Sequence, residues 1–223
     1  MYVDNAHLQA ARAEKNKATL ADPKGPRMTS GVQNIFEIES GFTQAYERLS
    51  FRALGFFVLH VGGLRYGVFE PGATLLANSF DEVGRRISER DSHTCAFASE
   101  PDAASIADAV RLAIYVEGPD EDRFFGLSRE EFSQLVRSRH LLWAPDGDAA
   151  FDDGSYVLQF DVDHQVRLIA FKRTEGLLFD PGSLRDVWME KSDFYAILQQ
   201  WYEAFEAEWT LALKIPSTAQ MES

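Results

Sequence analysis

The chain has 223 residues, 45% of them hydrophobic and 13% aromatic, which is enough apolar material for a globular core and too much for a disordered chain. Its longest apolar run, Leu54 to Val61, is broken by Gly55 and His60 and falls far short of the roughly 18 residues needed to cross a bilayer. The formal net charge is −13; residues 1–30 hold five bases and three acids, +2, which leaves −15 on the remainder, a body that repels phosphate backbones and argues against nucleic-acid binding.

Residues 1–30 read as a polar N-terminal arm, helical or disordered. Ala6 to Leu20 is rich in Ala, Glu and Lys but has a thin apolar stripe, and Asp22-Pro23-Lys24-Gly25-Pro26 breaks any helix. Met28 is an alternative start. The stretch lacks the apolar segment of a secretory signal. The one cysteine, Cys95, cannot form an internal disulfide and fits a reducing compartment. A cytoplasmic protein without membrane contact is therefore expected.

A single α+β domain is expected over residues 31–215, with a polar tail at 216–223. Ile35 to Glu39 alternates and predicts a strand. Phe56 to Val61 and Leu64 to Phe69 are two apolar runs joined by Gly62-Gly63, which predicts a hairpin. Ser79, with Glu82 three residues on, has the spacing of a capping box and predicts a helix to Arg90. Asp91 to Pro101 reads as loop. Asp102 to Val116 starts as helix and ends in Leu112-Ala113-Ile114-Tyr115-Val116, which strand would also fit. Ser128 and Glu131 repeat the box spacing and predict a helix to Arg139. Tyr156 to Val162 and Val166 to Lys172 alternate about Asp163-His164 and predict a second hairpin. Ser192 is expected to cap a long helix from Asp193 to about Leu213, with Phe194, Ile197, Leu198, Trp201, Tyr202, Phe205 and Trp209 on one stripe. Strands, helices, hairpin and long helix in that order predict an antiparallel sheet with helices packed mainly on one face.

No catalytic constellation emerges. Asp146 to Gly154 is acidic, but from Asp146 the fifth, sixth and twelfth positions are Ala150, Phe151 and Val157, so the register of a calcium loop fails. The five histidines, His7, His60, His93, His140 and His164, are scattered, and His93 with Cys95 supplies too few ligands for zinc. Cys95 has no nucleophile signature, Gly-x-Ser-x-Gly is absent, and Gly62-Gly63 lacks a phosphate-binding context. Glu37 and Glu39 share one strand face, which is common on exposed strands. Arg85-Arg86 is too short for a nucleic-acid patch. Neither metal nor cofactor is expected.

A resemblance adds to this. Leu54 to Gly63, Thr74 with Ser79 to Ile87, Trp143-Ala144-Pro145-Asp146-Gly147-Asp148, Asp152 to Asp161, Val166 to Phe171, and Phe194-Tyr195 with Trp201 and Trp209 together resemble the immunity 42 family of bacterial polymorphic-toxin systems, over roughly residues 32–210. The resemblance implies a cytoplasmic, non-enzymatic protein that binds and neutralises a cognate toxin. No toxin-contact residue carries over, and the basic arm departs from the family pattern. Charge suggests a basic toxin as the partner, met by an acidic surface at Asp146, Asp148, Asp152, Asp153, Glu203 and Glu206. The competing readings are a protein-interaction or small-ligand-binding module and, last, a hydrolase with dispersed acids. A homodimer stays open.

Overall fold

The computed structural model describes residues 25–119, 121–143, 148–174 and 179–216. The largest sheet is built on β1 (Arg27–Val32), β2 (Phe36–Tyr46), β3 (Ala53–Val61) and β4 (Leu64–Tyr66), in that order and antiparallel. The short β5 (Thr74–Leu75) adds to β3, and β11 (Lys214–Ile215) adds parallel to β2. Gly62 and Gly63, at φ of 57° and 78°, turn β3 into β4 as the sequence predicts, because two successive left-handed residues match the twist of the paired strands. β1 draws residues 27–30 of the polar arm into the sheet, so the sheet starts upstream of the expected boundary at residue 31.

The first helix, α1 (Ala77–Ser88), begins two residues before the predicted cap. Its N-cap is Leu76, which offers no side-chain bond, and Ser79 lies buried inside the first turn. Glu82 is therefore free to bond Arg85 and Arg86 instead. The ambiguous segment is helix throughout, α2 (Ala103–Tyr115), capped by Asp102 through the Ala104 amide. After the two-stranded β6 (Arg123–Phe124) and β7 (Leu127–Ser128) comes α3 (Arg129–Ser138), which carries the predicted capping box between Ser128 and Glu131.

The second hairpin, β8 (Ser155–Val162) and β9 (Gln165–Lys172), forms as predicted but is buried on both faces. Val157, Val166, Leu168 and Ala170 face one core, shared with the large sheet, α1 and the last helix; Leu158, Phe160, Ile169 and Phe171 face a second core, shared with α2 and α3. A strand the sequence reading missed, β10 (Arg185–Glu190), completes this sheet on β9. The chain then enters α4 (Lys191–Leu211). Glu190 is its N-cap without a side-chain bond, and Ser192 sits in the first turn rather than capping it.

The stripe on α4 behaves as core. Phe194, Ile197, Leu198, Trp201 and Phe205 are buried; Tyr202 and Trp209 pack at the margin. Trp201 donates to the buried Ser40 hydroxyl at 2.9 Å and Trp209 to the Arg52 carbonyl at 2.8 Å, so each indole loses water without losing a partner. The α+β architecture of antiparallel sheets with a long C-terminal helix thus follows the sequence pattern. No helix among the described residues is long and apolar enough to cross a membrane.

Candidate functional site

Of the six acids singled out in the sequence, Asp146 lies outside the described residues. Asp148 is half-buried: it caps a 3-10 turn at Ala149–Phe151 by accepting from the Ala150 amide at 2.9 Å, and Thr74 donates to it at 3.4 Å. Burial pushes its carboxyl above the ordinary range, and the nearby Glu82 and Asp152 carboxylates add to that. Asp153 accepts from the Ser155 amide at 3.1 Å and pairs with Lys172 at 2.6 Å. Both therefore hold the turn in place. Asp152, between them, is exposed, with no ion pair among the described residues.

Glu203 and Glu206 project from the outer face of α4, both exposed, and Gln199 donates to Glu203 at 2.7 Å. The helix and the acidic turn are bridged by α1. Phe80 stacks on Tyr202 at 4.0 Å, and a side chain at Gly84 would begin 2.9 Å from that ring, so the two helices touch along this line. The Glu82 carboxylate on α1, like that of Asp152, acts on Asp148 electrostatically.

Beneath this surface lies a polar seam that the sequence reading did not find. Arg86 is fully buried. It donates to Glu82 at 2.7 Å, to the side-chain oxygen Oε1 of Gln159 at 2.8 Å and to the Leu142 main-chain carbonyl at 2.9 Å, and its guanidinium lies 4.3 Å from the Trp143 ring centroid. Gln159 donates onward to the Tyr195 hydroxyl at 3.0 Å, and that hydroxyl donates to Asp161 at 3.1 Å. Asp161 also accepts from the His93 amide at 3.3 Å. The His93 ring is sealed from solvent and donates through Nδ1 to the Arg139 carbonyl at 2.9 Å. Burial, then the Arg86 charge, holds that imidazole below its usual range, against the pull of Arg139, Asp161 and Glu89. Burial likewise raises the Tyr195 phenol, and Asp161 raises it further.

Acid, imidazole and phenol standing together resemble a proton-transfer site, but all are buried, and a general base must reach the proton it takes. The seam is a structural network fixing α1 and α4 to the hairpin. On the hairpin's other face Arg167, also buried, forms a bidentate pair with Asp186 at 2.8 Å and donates to the Ala98 and Glu100 carbonyls, tying down the 91–101 loop.

The remaining motifs resolve locally. His60 contacts Glu39 at 2.9 Å on the outer face of the large sheet, where Arg27 also reaches Glu39. Burial pushes the Cys95 thiol up to about 12, which disfavours the nucleophilic thiolate. Among the described residues no group of three or more His, Cys, Asp or Glu side chains is placed to hold a metal ion. An open depression of about 970 Å³ runs along α3 from Ser128 to Ser138, with Ala113 of α2 at its edge.

A family model described as immunity protein 42 matches residues 28–204. The crystal structure of CdiI from Burkholderia dolosa AUO158 aligns with 78% of this chain and 97% of its own, at 16% identity and a TM-score of 0.48. No curated protein matches.

Proposed function

The chain belongs to the immunity protein 42 family, and on that premise we propose that it binds and neutralises a cognate bacterial toxin inside the cell, without catalysing a reaction. The match from residue 28 to residue 204 carries this reading, because it takes in both cores and most of α4. The binding surface we assign is the acidic side made by the 148–153 turn and the outer face of α4. Its contact charges are Asp152, Glu203 and Glu206, with Asp148 and Asp153 in support and Asp146 assigned from sequence. Such a field suits a basic toxin, since aligned opposite potentials speed encounter and select the partner.

The test is co-expression with the toxin-like domain encoded beside the gene, scored by host survival and co-purification. Rescue with a salt-sensitive complex is expected. A neighbouring domain that kills alone, is not countered and forms no complex would overturn cognate immunity to that domain.

A further inference from the structure

β10 is an edge strand of the three-stranded sheet. Its register on β9 runs unbroken from Arg185 opposite Ala170 to Glu190 opposite Gln165, and the Lys191 amide continues it by donating to the His164 carbonyl at 2.9 Å. In an antiparallel ladder hydrogen-bonded pairs alternate with unbonded ones. Arg185, Val187 and Met189 therefore bond β9, and Asp186, Trp188 and Glu190 turn their main-chain groups outward. Glu190 is the N-cap of α4, so its carbonyl belongs to the helix. The amides of Asp186, Trp188 and Glu190 and the carbonyls of Asp186 and Trp188 have no hydrogen-bond partner among the described residues. All three residues are exposed, Trp188 by 39%. Upstream the edge is closed, because the Arg185 side chain covers the Gly62, Gly182 and Leu184 carbonyls.

An open edge is a template for another strand, and proteins commonly close it with lysine, proline or a bulge. None of these stands between Asp186 and Glu190. We propose that β10 is extended by a basic strand of a partner protein, the toxin on the reading above. Charge selects the occupant. Asp186, Trp188 and Glu190 share one face of the strand. The Arg167 guanidinium pairs with Asp186 and lies 5.2 Å from the Trp188 ring centroid, which holds the indole in place from behind. Glu190 is exposed with no ion pair among the described residues, as is Asp193 in the first turn of α4. A second copy is the wrong occupant. Antiparallel pairing about Trp188 would set Asp186 against Glu190 at both ends, and like charges directly opposite destabilise a ladder. A strand with lysine or arginine opposite Glu190 meets the reverse condition. Its main chain bonds β10 and its aliphatic stems lie on Trp188. That the strand is the toxin's rests on the reading above; that the edge takes a basic strand does not.

The test follows the main-chain amides of the full chain by NMR while a short peptide alternating lysine and valine is added. Selective shifts at Asp186, Trp188 and Glu190 are expected. The same peptide N-methylated at every residue keeps the charge but has no donor for a ladder, and is expected to shift none of them. Glu190 sits at φ −61°, a value proline adopts. Glu190→Pro therefore removes a donor from the edge while keeping the fold, which an unchanged melting midpoint verifies. It is expected to weaken the peptide about tenfold, and Glu190→Gln about threefold. Absence of the shifts at millimolar peptide, equal shifts from both peptides, or equal affinity of wild type and Glu190→Pro would overturn the proposal. In the complex with the neighbouring toxin domain these amides are expected to be protected from hydrogen exchange. A complex that leaves them exchanging as in the free chain would overturn the assignment of the strand to the toxin. Peptide binding without any toxin complex would sustain the edge site and sink only the toxin reading.

Discussion

Between α1 and the β8–β9 hairpin, Arg86 meets Glu82, Gln159 and the Leu142 carbonyl, and Asp161 meets Tyr195 and the His93 amide. On the outer face of α4 and at the 148–153 turn, Glu206 and Asp152 meet no cation among the described residues. The two regions use the same residue types under opposite rules. Inside, a charge persists because its counter-groups surround it, since an unpaired ion there is far costlier than in water. Outside, water serves as the counter-group, and the charge stays available to a partner. The comparison teaches that overall acidity does not locate a binding surface. The surface we propose is drawn from the subset of acids that the fold does not use.

The largest effect separates the regions by stability. Replacing Arg86 by Met leaves Glu82 with Arg85 alone, strands the Gln159 side-chain oxygen and the Leu142 carbonyl, and is expected to cost about 3–5 kcal/mol. In a chain of this size that lowers Tm by roughly 10 °C. Urea or thermal melts read it, and an unchanged midpoint would break the assignment of the seam as structural. Next comes pH. The imidazole of His93 sits below its unfolded pKa of about 6.5, so the unfolded chain takes up a proton that the folded chain refuses. The contribution is present above that pH and is lost as pH falls through the unfolded value toward the folded one. Melts of wild type and His93→Gln between pH 7.5 and 5 should show the steeper loss in wild type; parallel slopes would remove His93 from the seam. The smallest change in stability belongs to the surface. The triple variant Asp152→Asn, Glu203→Gln, Glu206→Gln should stay within about 0.5 kcal/mol of wild type. It should nevertheless associate with the toxin about tenfold more slowly at low salt, and the difference should vanish near 1 M salt. Stopped-flow association measures it, and equal rates at low salt would move the toxin surface elsewhere.

How much of this was legible in the sequence depends on where each signal lies. The α3 capping box, the Gly62-Gly63 turn and the α4 stripe are local patterns, and local geometry decides them. Ser79 and Ser192 carry the same cap signal as Ser128, yet neither caps. Leu76 and Glu190 start those helices earlier, because the first turns are needed to bury Ala77, Ser79 and Lys191. β10 carries little local signal, because Arg185 to Glu190 is short and its apolar residues Val187, Trp188 and Met189 do not alternate. The seam was illegible for a different reason. Arg86 looks like half of an exposed basic pair until α1 is laid on the hairpin, and its partners lie 56 and 73 residues away. The acidic loop was visible as acidic, but Asp148 and Asp153 declare their structural duties only through Thr74 and Lys172.

The β8–β9 hairpin packs one face against the large sheet and α4 and the other against α2 and α3. It is a party wall. Neither half of the molecule can be dismantled without stripping the support from the other, since each side of the same eight-residue strands would be left facing water. Damage on one side is therefore shared, and the halves stand or fall cooperatively. The surface that neither core claims lies at the rim, in the exposed turn at Asp163 and along the outer faces of the helices.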